Sequence, residues 1–300
     1  MLHRQLNEGD QDVLHRNFQK YGPSARNLFR LYTGVLTTAE LDYAIERALH
    51  SIDTDKLAAL VEMAGGGVLS YGPPNISHSV ILVYPDPTRR IMLADVISRH
   101  VSQLLADRLL LKGWEELVKT YRLFHDIYPL SSAAGWMFEY YCHRMLSEQE
   151  NRQISLTPLM DVKNSKRQTG LFKLCRRDRI KSQPLTTLTI TKRQRHHFQN
   201  GDDLELSQEK YFIPTLTSNP AYDGFMIVDQ SLVAFQMTTK ESHDAKTPGI
   251  LDLERYANGM QLMFVLLVCE EREDDEIILA VPAEVYEKAK FFISIVEVRT

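Results

Sequence analysis

Three polar side chains border two apolar segments in the C-terminal part of the chain. Asp223 comes directly before the segment 224–228, and Gln236 and Thr238 lie at the end of the segment 232–238. Near-continuous apolar runs separated by a three-residue polar stretch predict a buried hairpin. Gln236 and Thr238 are two residues apart and therefore point to the same side of their strand. Since the first strand begins near the point where the second one ends, we expect Asp223 to meet both of them.

A carboxylate that meets neutral oxygen donors could hold a divalent cation. Mg²⁺ prefers oxygen ligands, and a bound Mg²⁺ both activates water and neutralises charge on a phosphate. The reaction that such a group would support is the hydrolysis of a phosphodiester. A second carboxylate would strengthen the site, because Mg²⁺ is usually bound through one or two carboxylates.

A predicted helix carries the best candidate for that second carboxylate. The helix begins near Ser131, and its apolar residues recur at helical spacing. Glu139 and His143 are four residues apart, so they share one side of the helix. From spacing alone, the simpler interpretations are that Glu139 is a solvated charge and that His143 is a hydrogen-bonded packing residue.

The chain resembles the PD-(D/E)xK restriction-endonuclease superfamily and, more closely, the C-terminal nuclease module of fungal Crinkler and retrotransposon-hot-spot-like proteins. The resemblance rests on the segments GWMFEYYCHRML, NPAYDGFMI and FQMTTKESH. It implies an α/β fold with a restriction-endonuclease-like αβββαβ core and a mixed sheet, which agrees with the predicted order of helix, strand, hairpin, helix and strand. It also implies Mg²⁺ held by Glu139, Asp223 and Gln236. The catalytic set that it implies is Glu139, Asp223, Gln236, Thr238, Lys240 and His243.

Two positions depart from the active pattern of the superfamily. Gln236 replaces a second acid, although its carbonyl oxygen is a neutral ligand and some active families use Gln there. Thr238 replaces a lysine that would stabilise charge on the phosphate, and losing one such group costs about 2.7–4 kcal/mol, or about a hundredfold to a thousandfold in rate. Lys240 could reach back in its place, and His243 could act as a base near neutral pH. The alternatives are a strand-end charge for Lys240 and a surface loop residue for His243.

The chain is expected to divide into residues 1–128 and 129–300. The first part is predicted to be a mostly helical module with a strand at 79–84 and one long helix at 90–111. It resembles, more loosely, the lid region at the end of an NTPase module, but it contains no phosphate-binding G-x-x-x-x-G-K-[ST] motif. An upstream NTPase module absent from this chain is therefore one candidate partner. The second part is expected to contain the nuclease-like domain.

A basic tract runs from Lys163 to His197 and is predicted to be an insertion into that domain. It contains eleven Lys or Arg residues and one acid, Asp178. The tract could bind a phosphate backbone and release its counterions, or it could be a solvated insertion. Base-specific recognition is not indicated. The candidates for nucleic-acid contact are Lys173, Arg176, Arg177, Arg179, Lys192, Arg193 and Arg195.

Composition and charge narrow the class of protein. The formal net charge is −4, with 44% hydrophobic and 25% charged residues, which is typical of a globular protein and not of a polycation. The three cysteines are widely spaced and show no zinc-binding pattern, which indicates reduced thiols. The N-terminus is polar, and no apolar run is long enough to span a membrane. We therefore expect an intracellular protein, nuclear or cytoplasmic, without a membrane partner. The family resemblance adds secretion into a host cell as an alternative.

Three functions remain open at this point. The first is a diverged Mg²⁺-dependent nuclease whose activity is in doubt because of Thr238. The second is a catalytically inactive module that binds nucleic acid, with DNA as the expected target, or that acts as an effector on a host-cell target. The third is a regulatory or scaffold fragment of an NTPase-coupled protein.

Overall fold

The computed structural model describes most of the chain. The described residues are 8–65, 79–85, 88–89, 92–125, 131–161, 171–176, 186–199, 201–215, 221–240, 242–270 and 277–298. The chain divides into two compact units, one comprising Met1–Met137 with the last two residues and the other comprising Phe138–Val298. None of the helices in the described part is long and apolar enough to cross a membrane.

The first unit is mostly helical over its described residues. Its elements are α1 (Glu8–Tyr21), α2 (Ala25–Tyr32), α3 (Thr38–His50), α4 (Thr54–Gly65), β1 (Ile81–Pro85), β2 (Met92–Val96), α5 (Arg99–Leu110), α6 (Trp114–His125) and the beginning of α7 (Ser131–Glu148). Polar side chains fix the helix starts. Thr37 and Glu40 form a capping box at α3, in which each side chain bonds the backbone N–H of the other residue.

The prediction of one long helix over 90–111 is wrong. Met92–Val96 forms β2, which pairs antiparallel with β1, and α5 begins only at Arg99. Ser98 sets that beginning, because its Oγ accepts a 3.2 Å hydrogen bond from the backbone N–H of Val101. The apolar residues before Ser98 fit a helical period as well as a buried strand, and local spacing carries no information about pairing with β1.

The second unit is built around a mixed sheet of eleven strands, counted over the described residues. The strands are β3 (Arg152–Asp161), β4 (Leu171–Arg176), β5 (Thr186–Ile190), β6 (Gln194–Phe198), β7 (Lys210–Pro214), β8 (Gly224–Val228), β9 (Ser231–Thr238), β10 (Ser242–Asp244), β11 (Gln261–Cys269), β12 (Ile278–Pro282) and β13 (Lys290–Val296). Their order is β10-β12-β4-β3-β13-β11-β9-β8-β7-β6, and β5 pairs with β3. The remaining helix, α8 (Thr247–Ala257), follows β10 in the chain.

The predicted hairpin is confirmed as β8 and β9. The two strands pair antiparallel, and Val228 lies opposite Ser231. The turn therefore contains two residues, Asp229 and Gln230, and not the three that the sequence suggested. Asp229 has a φ of 52°, a left-handed conformation that Asp and Asn tolerate better than most residues and that two-residue hairpin turns require.

The sheet is larger than an αβββαβ core. The predicted strands near 152–161 and 186–191 and the last three strands are confirmed, whereas β4, β6, β7 and β10 were not predicted. The described part of the basic tract also differs from a solvated insertion, because it supplies β4, β5 and β6 to the sheet. Strand pairing over long sequence distances organises these segments, and their local composition gives only weak signals for it.

One face of the sheet packs against α8. Even-numbered residues of β9 lie on this face, and Leu232 and Ala234 belong to the same buried cluster as Ile250 and Leu253 of α8. Side chains of a strand alternate between its two faces. The side chains of Gln236 and Thr238 therefore leave β9 on the face that packs against α8.

The sheet is rolled and not flat. In the strand order, six pairings separate β9 from β10, which in a flat sheet would set them roughly 29 Å apart at about 4.8 Å per pairing. Yet Thr238 ends β9 and Ser242 begins β10, and four residue steps span at most about 14 Å. The two strands can satisfy both conditions only if the intervening strands curve back on themselves.

Candidate functional site

Asp223 and Gln236 meet at the open end of the β8–β9 hairpin. Asp223 Oδ2 accepts a 2.8 Å hydrogen bond from Gln236 Nε2 and a 2.7 Å hydrogen bond from the backbone N–H of Met237. The backbone N–H of Asp223 donates to the Phe235 carbonyl at 2.8 Å. The carboxylate thus continues the pairing of β8 with β9 beyond the last backbone pair. The structure brings together these two of the residues that the sequence predicted would converge.

The Gln236 amide has an unsatisfied oxygen. Its side chain is 6% exposed, and Oε1 has no hydrogen-bond partner among the described residues. A buried polar atom left unpaired costs about 1–3 kcal/mol, so native proteins rarely keep one without a role or a bound group. An amide oxygen accepts either a hydrogen-bond donor or a hard cation.

Thr238 brings no charge to this end of the hairpin. It is buried, and its Oγ1 accepts a 3.0 Å hydrogen bond from the backbone N–H of Lys240. The Lys240 side chain is exposed to solvent. The Thr238 hydroxyl is therefore engaged with its own chain.

His243 lies on β10 and pairs with Leu279 of β12. Burial lowers the pKa of His243, the charges of Lys240 and Lys246 lower it further, and Asp244 opposes them. Over the described residues, no hydrogen bond joins His243 to Asp223 or Gln236, and its Nε2 has no partner. His243 therefore makes no direct contact of this kind with the Asp223–Gln236 pair.

Glu139, His143 and Tyr211 form a buried chain of hydrogen bonds. His143 Nδ1 lies 2.8 Å from the Tyr211 hydroxyl, and His143 Nε2 lies 3.3 Å from Glu139 Oε1. The side chains of His143 and Glu139 are only 9% and 13% exposed. The interpretation of Glu139 as a solvated charge is therefore wrong, whereas His143 is indeed a packed, hydrogen-bonded residue.

The Tyr211 hydroxyl connects this chain to the hairpin. It occupies the space that a side chain at residue 224 would need, because a Cβ on Gly224 would lie 2.5 Å from Tyr211 Oη. Burial raises the pKa of Tyr211, and the negative charge of Asp223 raises it further. Burial and then Asp223 likewise raise the pKa of Cys142, which precedes His143 on α7. Asp223 and the Glu139–His143–Tyr211 chain therefore share one neighbourhood, and we term these four residues, together with Gln236, the carboxylate corner.

Asp223 lies between the two faces of the sheet. Gln236 shares its face of β9 with Leu232 and Ala234, which pack against α8. Tyr211 lies on the opposite face, because its neighbour Phe212 belongs to the α8 cluster. Asp223 directly precedes β8, and from this position it reaches groups on both faces of the sheet.

Tyr211 is the member of this corner that sequence reasoning missed. The segment 210–214 contains apolar and aromatic residues typical of a strand, but it has no polar motif that would single out the tyrosine. Only the pairing of β7 with β8, in which Tyr211 lies opposite Met226, brings its hydroxyl next to Gly224.

Arg193 is not a surface cation. It is 8% exposed, and its guanidinium donates to the backbone carbonyls of Gln208 at 2.8 Å, Thr191 at 3.3 Å and Ile227 at 3.3 Å. Burial lowers the pKa of Arg193. Its assignment as a nucleic-acid contact is therefore corrected, because the guanidinium holds β-strand connections together.

The other predicted nucleic-acid contacts have varied positions. Arg195 is partly exposed and donates to Ser147 Oγ at 2.8 Å and to Glu148 Oε1 at 3.0 Å. Lys173 and Lys192 are exposed. The Arg176 side chain and residues Arg177 and Arg179 lie outside the described residues.

The donor set of the carboxylate corner suits a hard cation, although it holds few ligands. No group of three or more His, Cys, Asp or Glu side chains that could hold a metal ion occurs in the part of the chain that the structure describes. Glu139 and Asp223 supply two carboxylates, and the third oxygen is the unpaired amide oxygen of Gln236. Carboxylate and amide oxygens are the types of ligand that Mg²⁺ takes, so the chemistry of these donors suits this ion.

No family model matches the chain, and no curated protein or solved structure matches it either. Its function must therefore be inferred from the carboxylate corner and its surroundings.

Proposed function

We propose that this protein is a diverged, metal-dependent nuclease-like protein with a restriction-endonuclease-like core. The observation that carries the proposal is the 2.8 Å hydrogen bond between Asp223 and Gln236, which joins the residue that opens β8 to a residue near the end of β9. The resemblance to Crinkler and retrotransposon-hot-spot-like proteins supports the same assignment, because its implied ligands include both residues. Glu139 adds a second, largely buried carboxylate, which lies 3.3 Å from His143.

Each residue of the carboxylate corner has a defined part in this proposal. Asp223, Glu139 and the Gln236 amide oxygen would hold Mg²⁺, which supplies an activated water and neutralises charge on the phosphate. His143 keeps Glu139 turned inward through its 3.3 Å contact. Tyr211 stays protonated, because burial and Asp223 raise its pKa, and it serves as a neutral hydrogen-bond partner of His143.

The proposed activity is weak. Thr238 supplies no positive charge to the phosphate, and its hydroxyl bonds the backbone of Lys240. The absence of one preorganised charged group lowers the rate by about a hundredfold to a thousandfold. We therefore expect slow nicking, measured over hours and at enzyme concentrations comparable to that of the substrate.

Conversion of supercoiled plasmid to nicked circles tests the proposal. The purified protein should nick plasmid in Mg²⁺ and not in EDTA, and Asp223→Asn should abolish the nicking because it removes a carboxylate ligand. Asp229→Asn is the matched control, since it makes the same change in the turn at the other end of the hairpin, where Asn tolerates the left-handed φ of 52°. Equal nicking by wild type and Asp223→Asn would show that a contaminant is responsible and would contradict the proposal.

A catalytically inactive nucleic-acid-binding protein is the second candidate. It is favoured by the neutral, self-bonded Thr238 hydroxyl. In that case neither wild type nor Asp223→Asn nicks plasmid, and both shift DNA on a gel in a salt-dependent manner.

A further inference from the structure

Two arginines share one glutamate at the C-terminal end of α7. Glu148 Oε2 lies 2.5 Å from Arg144 Nη2, and Glu148 Oε1 lies 3.0 Å from Arg195 Nη2. One carboxylate cannot neutralise two guanidinium groups, which stay charged at any physiological pH. Arg144, Arg195 and Glu148 together carry a formal charge of +1 in a protein whose formal net charge is −4. We term Arg144 and Arg195 the arginine pair.

Both guanidinium groups are held in place by other contacts. Arg195 Nε donates to Ser147 Oγ at 2.8 Å, and Ser147 Oγ donates to the His143 carbonyl at 2.7 Å. Arg144 Nη1 donates to the Tyr140 hydroxyl at 3.0 Å, and its guanidinium lies 5.9 Å from the centre of the Tyr140 ring. A ligand that binds here would restrict little additional side-chain motion, which favours affinity.

The arginine pair is open to solvent. The side chains of Arg144 and Arg195 are 28% and 29% exposed, and Arg195 Nη1 makes no hydrogen bond with the described residues. Arg195 lies on β6, which ends the strand order. His197, two residues further, is exposed on the same side of that strand.

The arginine pair lies next to the carboxylate corner. Arg195 is in register with Tyr211 on the neighbouring strand β7, and Tyr211 bonds His143. Only β7 separates β6 from β8, the strand that Asp223 precedes. The arginine pair and the carboxylate corner are therefore connected through α7 and the neighbouring strands β6 to β8.

We propose that the arginine pair binds a phosphodiester group of a nucleic-acid backbone. Guanidinium groups match the geometry of phosphate oxygens and bind them through two parallel hydrogen bonds. The choice of ligand rests on the proposed function, whereas the site itself is defined by the contacts of Arg144, Glu148 and Arg195. It contributes affinity without reading sequence, because it contacts only the backbone.

Salt-dependent binding of a fluorescent random-sequence DNA duplex, measured by anisotropy in EDTA, tests the site without catalysis. Arg195→Gln should weaken binding and reduce the slope of log affinity against log salt by about one, the change for one lost phosphate contact. Lys290→Gln removes the same charge from an exposed residue of β13, which lies far from β6 in the strand order, and should leave the slope unchanged. Equal effects of the two variants would show an unspecific response to net charge and would overturn the proposal.

Glu148→Gln provides a test that misfolding cannot imitate. It removes the shared carboxylate, so both guanidinium groups become available and DNA binding should tighten, with a slope steeper by up to about one. Glu254→Gln is the control, because it removes an exposed acid of α8, which pairs with Lys288 and lies on the opposite face of the sheet from Arg195. No gain with Glu148→Gln, or the same gain with Glu254→Gln, would contradict a defined site.

The outcomes separate this site from the nuclease proposal. Loss of binding in Arg195→Gln and gain in Glu148→Gln, with no plasmid nicking by wild type, would keep the phosphate site and reject catalysis. Nicking that depends on Asp223, with a DNA affinity that neither Arg195→Gln nor Glu148→Gln changes, would keep catalysis and reject the phosphate site. Wild type that binds no duplex at low salt rejects the phosphate site outright.

Discussion

At the scale of single residues, Thr238 limits what the carboxylate corner can do. Its hydroxyl is buried and bonds the backbone N–H of Lys240 at 3.0 Å. A hydroxyl in this role fixes the end of β9 but contributes no charge to a bound phosphate. The proposed reaction would need a positive charge at residue 238, whereas the threonine at this position stabilises the end of β9.

Thr238→Lys should restore activity in the plasmid-nicking assay. A lysine at this position supplies the missing charge, and we expect a gain of about a hundredfold to a thousandfold over wild type. Thr238→Met is the matched control, since it adds a side chain of similar length without charge. A folded Thr238→Lys protein with no more activity than Thr238→Met would contradict the assignment of this position.

The sequence predicts single residues well where they are close along a hairpin. Asp223 and Gln236 were expected to meet because antiparallel pairing joins the two ends of a hairpin, and they do so at 2.8 Å. Arg193 shows the opposite case. Its neighbours in sequence are basic and polar, and only the carbonyls of Gln208 and Ile227, brought in by strand pairing, explain its burial.

At the scale of elements, the first turn of α7 is hydrogen-bonded to a buried acid. Asp95 lies on β2, opposite Leu82 of β1, and is 8% exposed. Its carboxylate accepts hydrogen bonds from the Ser132 side chain and from the backbone of Ala133, in the first turn of α7. An acid in this position satisfies helix N–H groups that would otherwise lack partners. The helix that carries Glu139 and His143 therefore begins at a residue of the β1–β2 hairpin.

The stability of the first unit should fall as pH rises from about 4 to 6. Burial raises the pKa of Asp95 from 3.8 to about 6, and its hydrogen bonds to Val96, Ser132 and Ala133 oppose the shift. The native state therefore holds a proton that the unfolded chain releases near pH 3.8. The stabilisation is complete below that pH and is lost as pH rises through 6, by about 3 kcal/mol at about 1.4 kcal/mol per unit.

Urea denaturation between pH 4 and 7 checks this expectation. Asp95→Asn should make the free energy of unfolding less dependent on pH, because the amide is neutral throughout and can still accept a hydrogen bond. Asp55→Asn, an exposed change at the start of α4, should leave the pH dependence as in wild type. The same decline in Asp95→Asn as in wild type would assign the pH dependence to other groups.

Elements were predictable where their own spacing is distinctive. The spacing predicts the apolar hairpin and the helix after Ser131, whereas it predicts a helix where β2 lies and gives no signal for β7. β2 and β7 are each five residues long and are defined by partners elsewhere in the chain, β1 for β2 and β6 and β8 for β7. Runs this short do not distinguish strand from helix by period.

At the scale of the whole molecule, binding at the carboxylate corner links to the stability of the second unit. Asp223 joins β8 to β9 through its bonds to Gln236 and Met237, and Tyr211 joins β7 to α7 through His143. A cation that binds the folded state alone adds stability in proportion to the logarithm of its concentration. The carboxylate corner can therefore be tested without any substrate.

Mg²⁺ should raise the melting temperature. At one hundred times its dissociation constant, a cation contributes about 2.7 kcal/mol, and each kcal/mol raises Tm by about 2–4 °C for a unit of this size. EDTA should reverse the shift, and Asp223→Asn should lack it while Asp229→Asn keeps it. NaCl at matched ionic strength controls for screening. An equal rise in the Asp223→Asn variant would exclude this carboxylate as a ligand.

The rolled shape of the sheet also affects the tendency of the protein to aggregate. Exposed edge strands act as templates for pairing with strands of other copies, and a flat sheet of this width would have two edge strands. Here one end is β10, only three residues long and tied to β9 by a short connection. The other end is β6, where the charged Arg195 discourages a hydrophobic neighbour. Fibril formation through edge pairing should therefore be slow, and it should accelerate when Arg195 is made apolar.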